Sequence, residues 1–259
     1  MEFGCCVSLE QLPYVRDGGF DFAELPAASV VSCPTEEEWR SVKERVQAAG
    51  VPIRGFNVLL PGGIKVVGPE VDEDWVNAYL EQAFRRMAEL GAEHVSFGSG
   101  GSRAVPDGFD RQLAEDQLCN VLRRAAELGE EYGITVNLEF LNRGETNFLN
   151  SLLEAQALVQ KLNHPRLRLL VDLYHIMKEQ EPLSDLLTVA PDVGYVHVAD
   201  TDRRYPGSGA YPYIDFAATL QTIEYDGPIS VECVWTDMER EMKQAAAFLR
   251  QTFKARDVR

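Results

Sequence analysis

The sequence predicts a single α/β domain of the (β/α)8 barrel class, spanning residues 1–259. Three observations predict it. Short apolar runs alternate with amphipathic helical stretches along the whole chain, with no linker, charge block or low-complexity tract between them. A chain of 259 residues is a length that one such barrel commonly fills. Four consecutive apolar runs in the second half each end in a side chain that can bind a metal: Glu139, Asp172, His197 and Glu232. A closed barrel brings such strand ends to one point, whereas an open doubly wound sheet would spread them along a row.

The elements follow in order. Residues 3–8 (FGCCVS) read as the first strand and 20–25 (FDFAEL) as the second, with a short helix containing Pro13 between them. Thr35 opens a helix whose first turn is acidic and which stops at Gly50. Residues 51–58 form the third strand, followed by the Gly/Pro-rich loop LPGGIKVVGPEV. From Asp72 to Leu90 the apolar positions Trp75, Tyr79, Ala83, Met87 and Leu90 recur at helical spacing, and Gly91 ends the run. AEHVSFG is the fourth strand, and the loop GSGGSRAVPDG follows it. A long helix from Phe109 to Tyr132 stops before Gly133, and ITVNLEF is the fifth strand. The spacing predicts a helix over 147–162, a sixth strand at 167–171, a seventh at 193–198 and an eighth at 229–233. Pro182 interrupts the sixth unit, and a helix from Thr236 to Phe253 closes the chain.

Composition narrows the function. A net charge of −16 repels phosphate backbones and argues against nucleic acid as a partner. No apolar run reaches the roughly 18 residues of a membrane span, so no membrane partner is expected. The five cysteines show no CxxC spacing and read as reduced thiols. The N-terminus MEFGCCVSLEQLPY lacks a basic region and a long apolar core, so no signal peptide is expected and the protein is placed in the cytoplasm.

The chemistry centres on LRLLVDLYH (167–175), a buried strand ending in Asp172 with His175 three residues on. Burying a carboxylate at a strand end is costly unless a cation or hydrogen bonds compensate it. Taken singly, a strand-end Glu or Asp is often a helix cap, and a lone histidine is often a hydrogen-bonded core group. Four on consecutive strands point instead to a divalent metal. Two Glu, one Asp and one His suit Mn²⁺, Mg²⁺ or Co²⁺ with open positions better than a closed structural zinc site. His94 and His164 are read as structural.

The motifs VNLEFLNRGET (136–146), VDLYH (171–175), YVHVADTDRRYPGSG (195–209), IDF (214–216) and ISVEC (229–233) resemble the sugar phosphate isomerase/epimerase superfamily, the xylose isomerase-like TIM barrels. Within it the chain resembles most the ketose 3-epimerases of the D-tagatose and D-psicose type. The resemblance implies Glu139, Asp172, His197 and Glu232 as metal ligands, with His175 and Arg203 as substrate contacts. Mn²⁺ is the first choice of metal, and Mg²⁺, Co²⁺ and Zn²⁺ are the other ions considered. Glu145 matches an acidic residue that bonds a substrate hydroxyl, and equally reads as an exposed loop glutamate. The partner implied is a small sugar or polyol, and a homo-oligomer is left open.

The physical chemistry agrees with what the resemblance implies. Epimerising a carbon beside a carbonyl removes a weakly acidic proton and stores charge as an enediolate, which a divalent cation stabilises. Inversion requires a base on each face, the roles expected of Glu139 and Glu232. Arg203 offers a permanent cation to the carbonyl oxygen, or else an ion pair with Asp200 or Asp202. The metal-cluster endonucleases of the superfamily use additional histidines, and strands three and four end without one. Cys5 or Cys6, Glu24, Phe56 and Asn57 stand at strand ends that could line a pocket. SGGSR (99–103), with Arg103, is the one stretch resembling a phosphate loop, while CVWTDMERE after strand eight would repel phosphate. The expected substrate is therefore unphosphorylated. Inosose isomerase or dehydratase, hydroxypyruvate isomerase and a non-catalytic sugar-binding barrel are the competing readings.

Overall fold

Eight parallel strands pair in sequence order and close on themselves in the computed structural model, which describes residues 1–254. They are β1 (Phe3–Cys6), β2 (Phe22–Pro26), β3 (Ile53–Asn57), β4 (His94–Phe97), β5 (Thr135–Glu139), β6 (Leu167–Asp172), β7 (Val193–Val198) and β8 (Ile229–Val231). The closing seam aligns Phe3 with Ile229 and Cys5 with Val231. The expected domain ran to residue 259, and its last five positions lie outside the described residues.

Local chemistry sets the helix boundaries. Thr35 accepts from the Glu38 amide while Glu38 bonds back to the Thr35 amide, a reciprocal cap for the helix Glu36–Ala49. Asp72, Asp110, Ser151 and Asp237 cap later helices one way, each side chain accepting an amide of the first turn, and each typically contributes about 1 kcal/mol. Gly50 and Gly133 end their helices with φ of 63° and 76°, the left-handed conformation that glycine adopts without a steric penalty. Pro13 sits in the first turn of Leu12–Asp17, where no amide is required. Pro182 falls between the helices Leu173–Glu179 and Asp185–Val189.

The helix expected over 147–162 begins only at Leu152. Asn147 bonds both the amide and the carbonyl of Val105 at 2.8 Å, and the Asn150 amide group donates to the carbonyls of Leu141 and Thr146. These side-chain bonds hold 147–150 as loop, the usual competition of Asn with helix. The eighth strand, expected to reach residue 233, ends at Val231, so Glu232 stands just beyond it.

Strand alternation divides the molecule into two interiors. The outward side chains, among them Leu25, Phe56, Phe97, Leu138, Val171, Val196 and Val231, join the helices in one large apolar core. The inward side chains are different. Phe22, Leu170 and Tyr195 form a small separate floor. Above them the buried set turns polar, with Glu24, Asn57, Ser96, Glu139, Asp172, His197 and Ser230. The barrel is thus stabilised from outside its sheet and left polar within.

The floor depends on Gly4, because a Cβ there would fall on the Phe22 ring. Gly4→Ala should destabilise the fold by roughly 1–3 kcal/mol, the usual cost of overpacking. Urea unfolding measures this, and an unchanged midpoint would show that the floor is not tightly packed.

Candidate active site

β5 and β6 end on Glu139 and Asp172, and β7 carries the inward His197 one residue before its end, with Asp172 and His197 in direct register. Glu232 follows β8 immediately. One ligand atom from each of the four residues lies within 4.8 Å of all the others. The structure therefore brings together all four residues that the sequence singled out.

Several of their atoms have no partner among the described residues. Glu139 Oε1, Asp172 Oδ2 and His197 Nδ1 are buried and unbonded. Leaving one such group dry costs about 1–3 kcal/mol, more when it is charged, so three converging ones are a set made for something that bonds them. The other atoms of these residues are occupied. Asp172 Oδ1 accepts the Tyr174 amide at 2.8 Å, capping the next helix. The two readings of this strand-end acid, cap and ligand, thus fall to different oxygens. His197 Nε2 lies 3.2 Å from both Glu24 oxygens, leaving Nδ1 to face Glu139 and Glu232 at 3.9 and 3.7 Å. Glu232 accepts from Asn57 at 3.2 Å and from Arg203 at 2.7 Å.

The electrostatics fit a cation. Burial, and then the neighbouring Glu232 charge, push the Glu139 carboxyl well above the usual carboxylate range. Burial likewise pushes Asp172 up to about 6, against the pull of Arg203 and His197. Burial acts the same way on Glu232, but His197 and Arg203 beside it outweigh that and hold it low. Burial disfavours a charged His197, yet the negative charges of Glu24 and Glu232 reverse the balance and raise it. Without a metal, protons must occupy part of this cluster. Oxygen and imidazole donors in this number are a suitable set for a Mn²⁺-like ion that keeps open positions.

His175 belongs to the same space. Its Nδ1 accepts the Asn142 backbone amide at 3.2 Å, so the proton of the neutral ring is on Nε2. Burial, then the Arg203 charge, lower its pKa to about 3 and keep it neutral. That unpartnered Nε2 lies 3.6 Å from Asp172 Oδ2 and 3.7 Å from Glu139 Oε1. It is a donor aimed into the site. Arg203 bridges Glu145 at 2.9 Å and Glu232 at 2.7 Å, and its guanidinium lies 5.0 Å from the Tyr174 ring centre. Its ion-pair partners are thus Glu145 and Glu232, where the sequence alternative named Asp200 or Asp202.

The site opens into a cavity of about 150 Å³. Its lining combines the charged Glu139, Glu145, Arg203 and Glu232 with Val58, Leu60, Leu141 and residues 98–101. Gly98 is required there, because a Cβ would collide with Glu139 Oε2. Two larger hollows, of about 690 and 700 Å³, include none of the four converging residues.

Of the suggested pocket residues, Cys6, Glu24 and Asn57 face inward, whereas Cys5 and Phe56 belong to the outer core. Arg103 does not serve a phosphate loop. It is fully buried and donates to the carbonyls of Phe97, Gly98, Glu139 and Phe148, which fixes the floor under Glu139. The sequence reading gave Asn142 no role, and only its place in the turn LNRGET signals one. His94 packs against Tyr195 at the lower part of the barrel, and His164 lies near Glu130, both away from the site.

Comparisons with known proteins agree with the architecture. A ketose 3-epimerase of Arthrobacter globiformis is 27% identical over 93% of this chain and 89% of its own. The 3-dehydro-D-guloside 4-epimerase of Escherichia coli is 26% identical over 86% of both chains. Among solved structures, a D-psicose 3-epimerase crystallised in the presence of D-fructose superimposes with a TM-score of 0.85 over 98% of this chain and 99% of its own, at 19% identity. The xylose isomerase-like TIM barrel family matches residues 12–252, and the chain belongs to that family.

Proposed function

We propose that this chain is a divalent-metal-dependent epimerase of a small, unphosphorylated ketose or related keto-polyol. The observation that carries the reading is the convergence of the unpartnered Glu139 Oε1, Asp172 Oδ2 and His197 Nδ1 beside the donors of His175 and Arg203. The relatives support it. One is named for inversion at carbon 3 of ketoses and another for inversion at carbon 4 of a 3-dehydro sugar. Both names describe inversion at a carbon beside a carbonyl. The burial of Arg103 supports an unphosphorylated substrate, since it removes the one phosphate-loop candidate from reach.

A divalent cation held by Glu139, Asp172, His197 and Glu232 would supply Lewis acidity toward a carbonyl oxygen and its neighbouring hydroxyl. The chain's own groups do the rest. One glutamate of the Glu139/Glu232 pair takes the proton from the carbon beside the carbonyl, and the C–H electron pair moves into the carbonyl to give an enediolate. The other glutamate returns a proton to the opposite face, which inverts the centre. His175 Nε2–H and the Arg203 guanidinium donate to developing oxyanion charge. His175 can donate because Asn142 fixes its tautomer. Arg203 must exchange part of its bonding to Glu145 and Glu232 for substrate. Val58, Leu60 and Leu141 give the cavity its apolar surface. Mn²⁺ is the preferred ion of this reading.

The purified chain should bind one Mn²⁺, and replacing Asp172 and His197 together with Ala should abolish the uptake. Metal analysis before and after chelation reads this directly. Unchanged stoichiometry in the double variant would move the site elsewhere.

Arg203→Ala and His175→Ala should retain the metal and lower kcat by about 100- to 1000-fold, the scale for loss of an oxyanion donor. Steady-state kinetics with a parallel urea melt checks this. A fall in activity that merely tracks the folded fraction would make either residue structural.

Turnover of a ketose panel in D₂O should place deuterium on the inverted carbon of the product. Glu139→Gln and Glu232→Gln, each checked for metal content, should lose inversion, and either can spare exchange on the face served by the remaining glutamate. Full inversion by both variants with metal bound would rule out the two-base scheme, and complete absence of exchange in the wild type would favour a sugar-binding barrel.

A further inference from the structure

The carboxylate of Glu24 is buried below the lining of the site cavity, and its exposure is 1%. A carboxylate in such a place is costly unless fully paired. Two partners meet it, both from β7. Tyr195 Oη donates to Glu24 Oε2 at 3.1 Å, and His197 Nε2 lies 3.2 Å from both oxygens. Tyr195 and His197 are two residues apart, so alternation sends both side chains into the barrel. Glu24 comes from β2, which is not a neighbour of β7 in the sheet. The contact therefore crosses the lumen. Gly55 leaves room for it, since a Cβ there would come within 3.0 Å of Glu24 Cγ.

We infer that Glu24 is a positioning residue for metal binding: it keeps a proton on His197 Nε2 and thereby presents the Nδ1 lone pair to the ion. An imidazole offers a lone pair on one nitrogen only when its proton is on the other. With Glu24 as a pure acceptor, the tautomer protonated on Nε2 is the one it stabilises. The unbonded Nδ1 is then the nitrogen facing Glu139 and Glu232. Tyr195 holds the carboxylate from below and stops it rotating away. A carboxylate behind a ligating histidine also makes that histidine a stronger donor, and loss of such a partner typically weakens metal affinity by about 10- to 100-fold.

This inference rests on the metal reading above, and the test separates the two. Mn²⁺ titration by calorimetry compares wild type, Glu24→Gln and Glu24→Leu, with circular dichroism to verify folding. Glu24→Leu, which fills the space without an acceptor, should bind Mn²⁺ about 10- to 100-fold more weakly. Glu24→Gln keeps a carbonyl that can accept from Nε2–H, so its affinity should lie between the two. If Glu24→Leu does not fold, the Glu24→Gln titration and the spectrum still decide. In Mg²⁺-loaded protein with ¹⁵N-labelled histidine, the wild type should show His197 protonated on Nε2. Wild-type affinity in every folded variant, or a wild-type His197 protonated on Nδ1, would overturn the inference while leaving the metal site in place. Two Mn²⁺ per wild-type chain, one of them lost in Glu24→Gln, would overturn it by making Glu24 a ligand itself. No Mn²⁺ uptake by the wild type would bring down the metal reading and this inference with it.

Discussion

The structure depends on one electrostatic constraint: three carboxylates and an imidazole are held within a few ångströms at the base of a small cavity, most of them buried. Carboxylates so placed repel one another, and burial opposes the charge of each. The surroundings leave this conflict in place and hold it in position. Arg103 ties the backbone under Glu139, Gly98 leaves room for its outer oxygen, and Asp172 is pinned by a helix amide. Arg203 supplies a guanidinium in direct contact, and it relieves Glu232 more than Glu139. The remaining charge imbalance is what a divalent cation would correct.

The barrel separates stability from chemistry by strand parity. Residues facing the helices are apolar and carry the burial that holds the fold together. Residues facing the lumen are free to be polar because only a short floor of Phe22, Leu170 and Tyr195 closes it below. A polar residue at one position can thus be a functional group, while its neighbour in sequence is pure core. Cys5 and Cys6, or Phe56 and Asn57, show the contrast within adjacent residues.

This parity also explains what the sequence made legible. The apolar runs and their strand-end acids were readable because burial on both sides of a parallel strand makes the run nearly continuous, and a charge at its end conspicuous. The convergence of Glu139, Asp172, His197 and Glu232 followed from placing those ends on one rim. Less was readable in the front half. Glu24 lies in FDFAEL, where strict alternation suggests an inward face but not that it meets β7 across the lumen. The start of the helix at Leu152 was hidden because Asn147 and Asn150 satisfy distant backbone groups, which helical periodicity cannot report. Arg103 looked like an anion binder because glycine-rich loops with a basic residue commonly are. Its carbonyl partners come from segments as far away as Phe148.

Val58 carries one last consequence. It follows β3, lines the same cavity as Arg203, and has a φ of 47°, a left-handed conformation that is strongly disfavoured for a β-branched residue. Such a backbone costs about 1–3 kcal/mol, which glycine at the same place would largely avoid. A loop shaped for stability alone would therefore discard this side chain. The turn after β3 is thus a strained piece of the cavity wall, its shape set by main-chain torsion as well as by packing. Relaxing that one turn would reshape the cavity wall without touching Glu139, Asp172, His197 or Glu232.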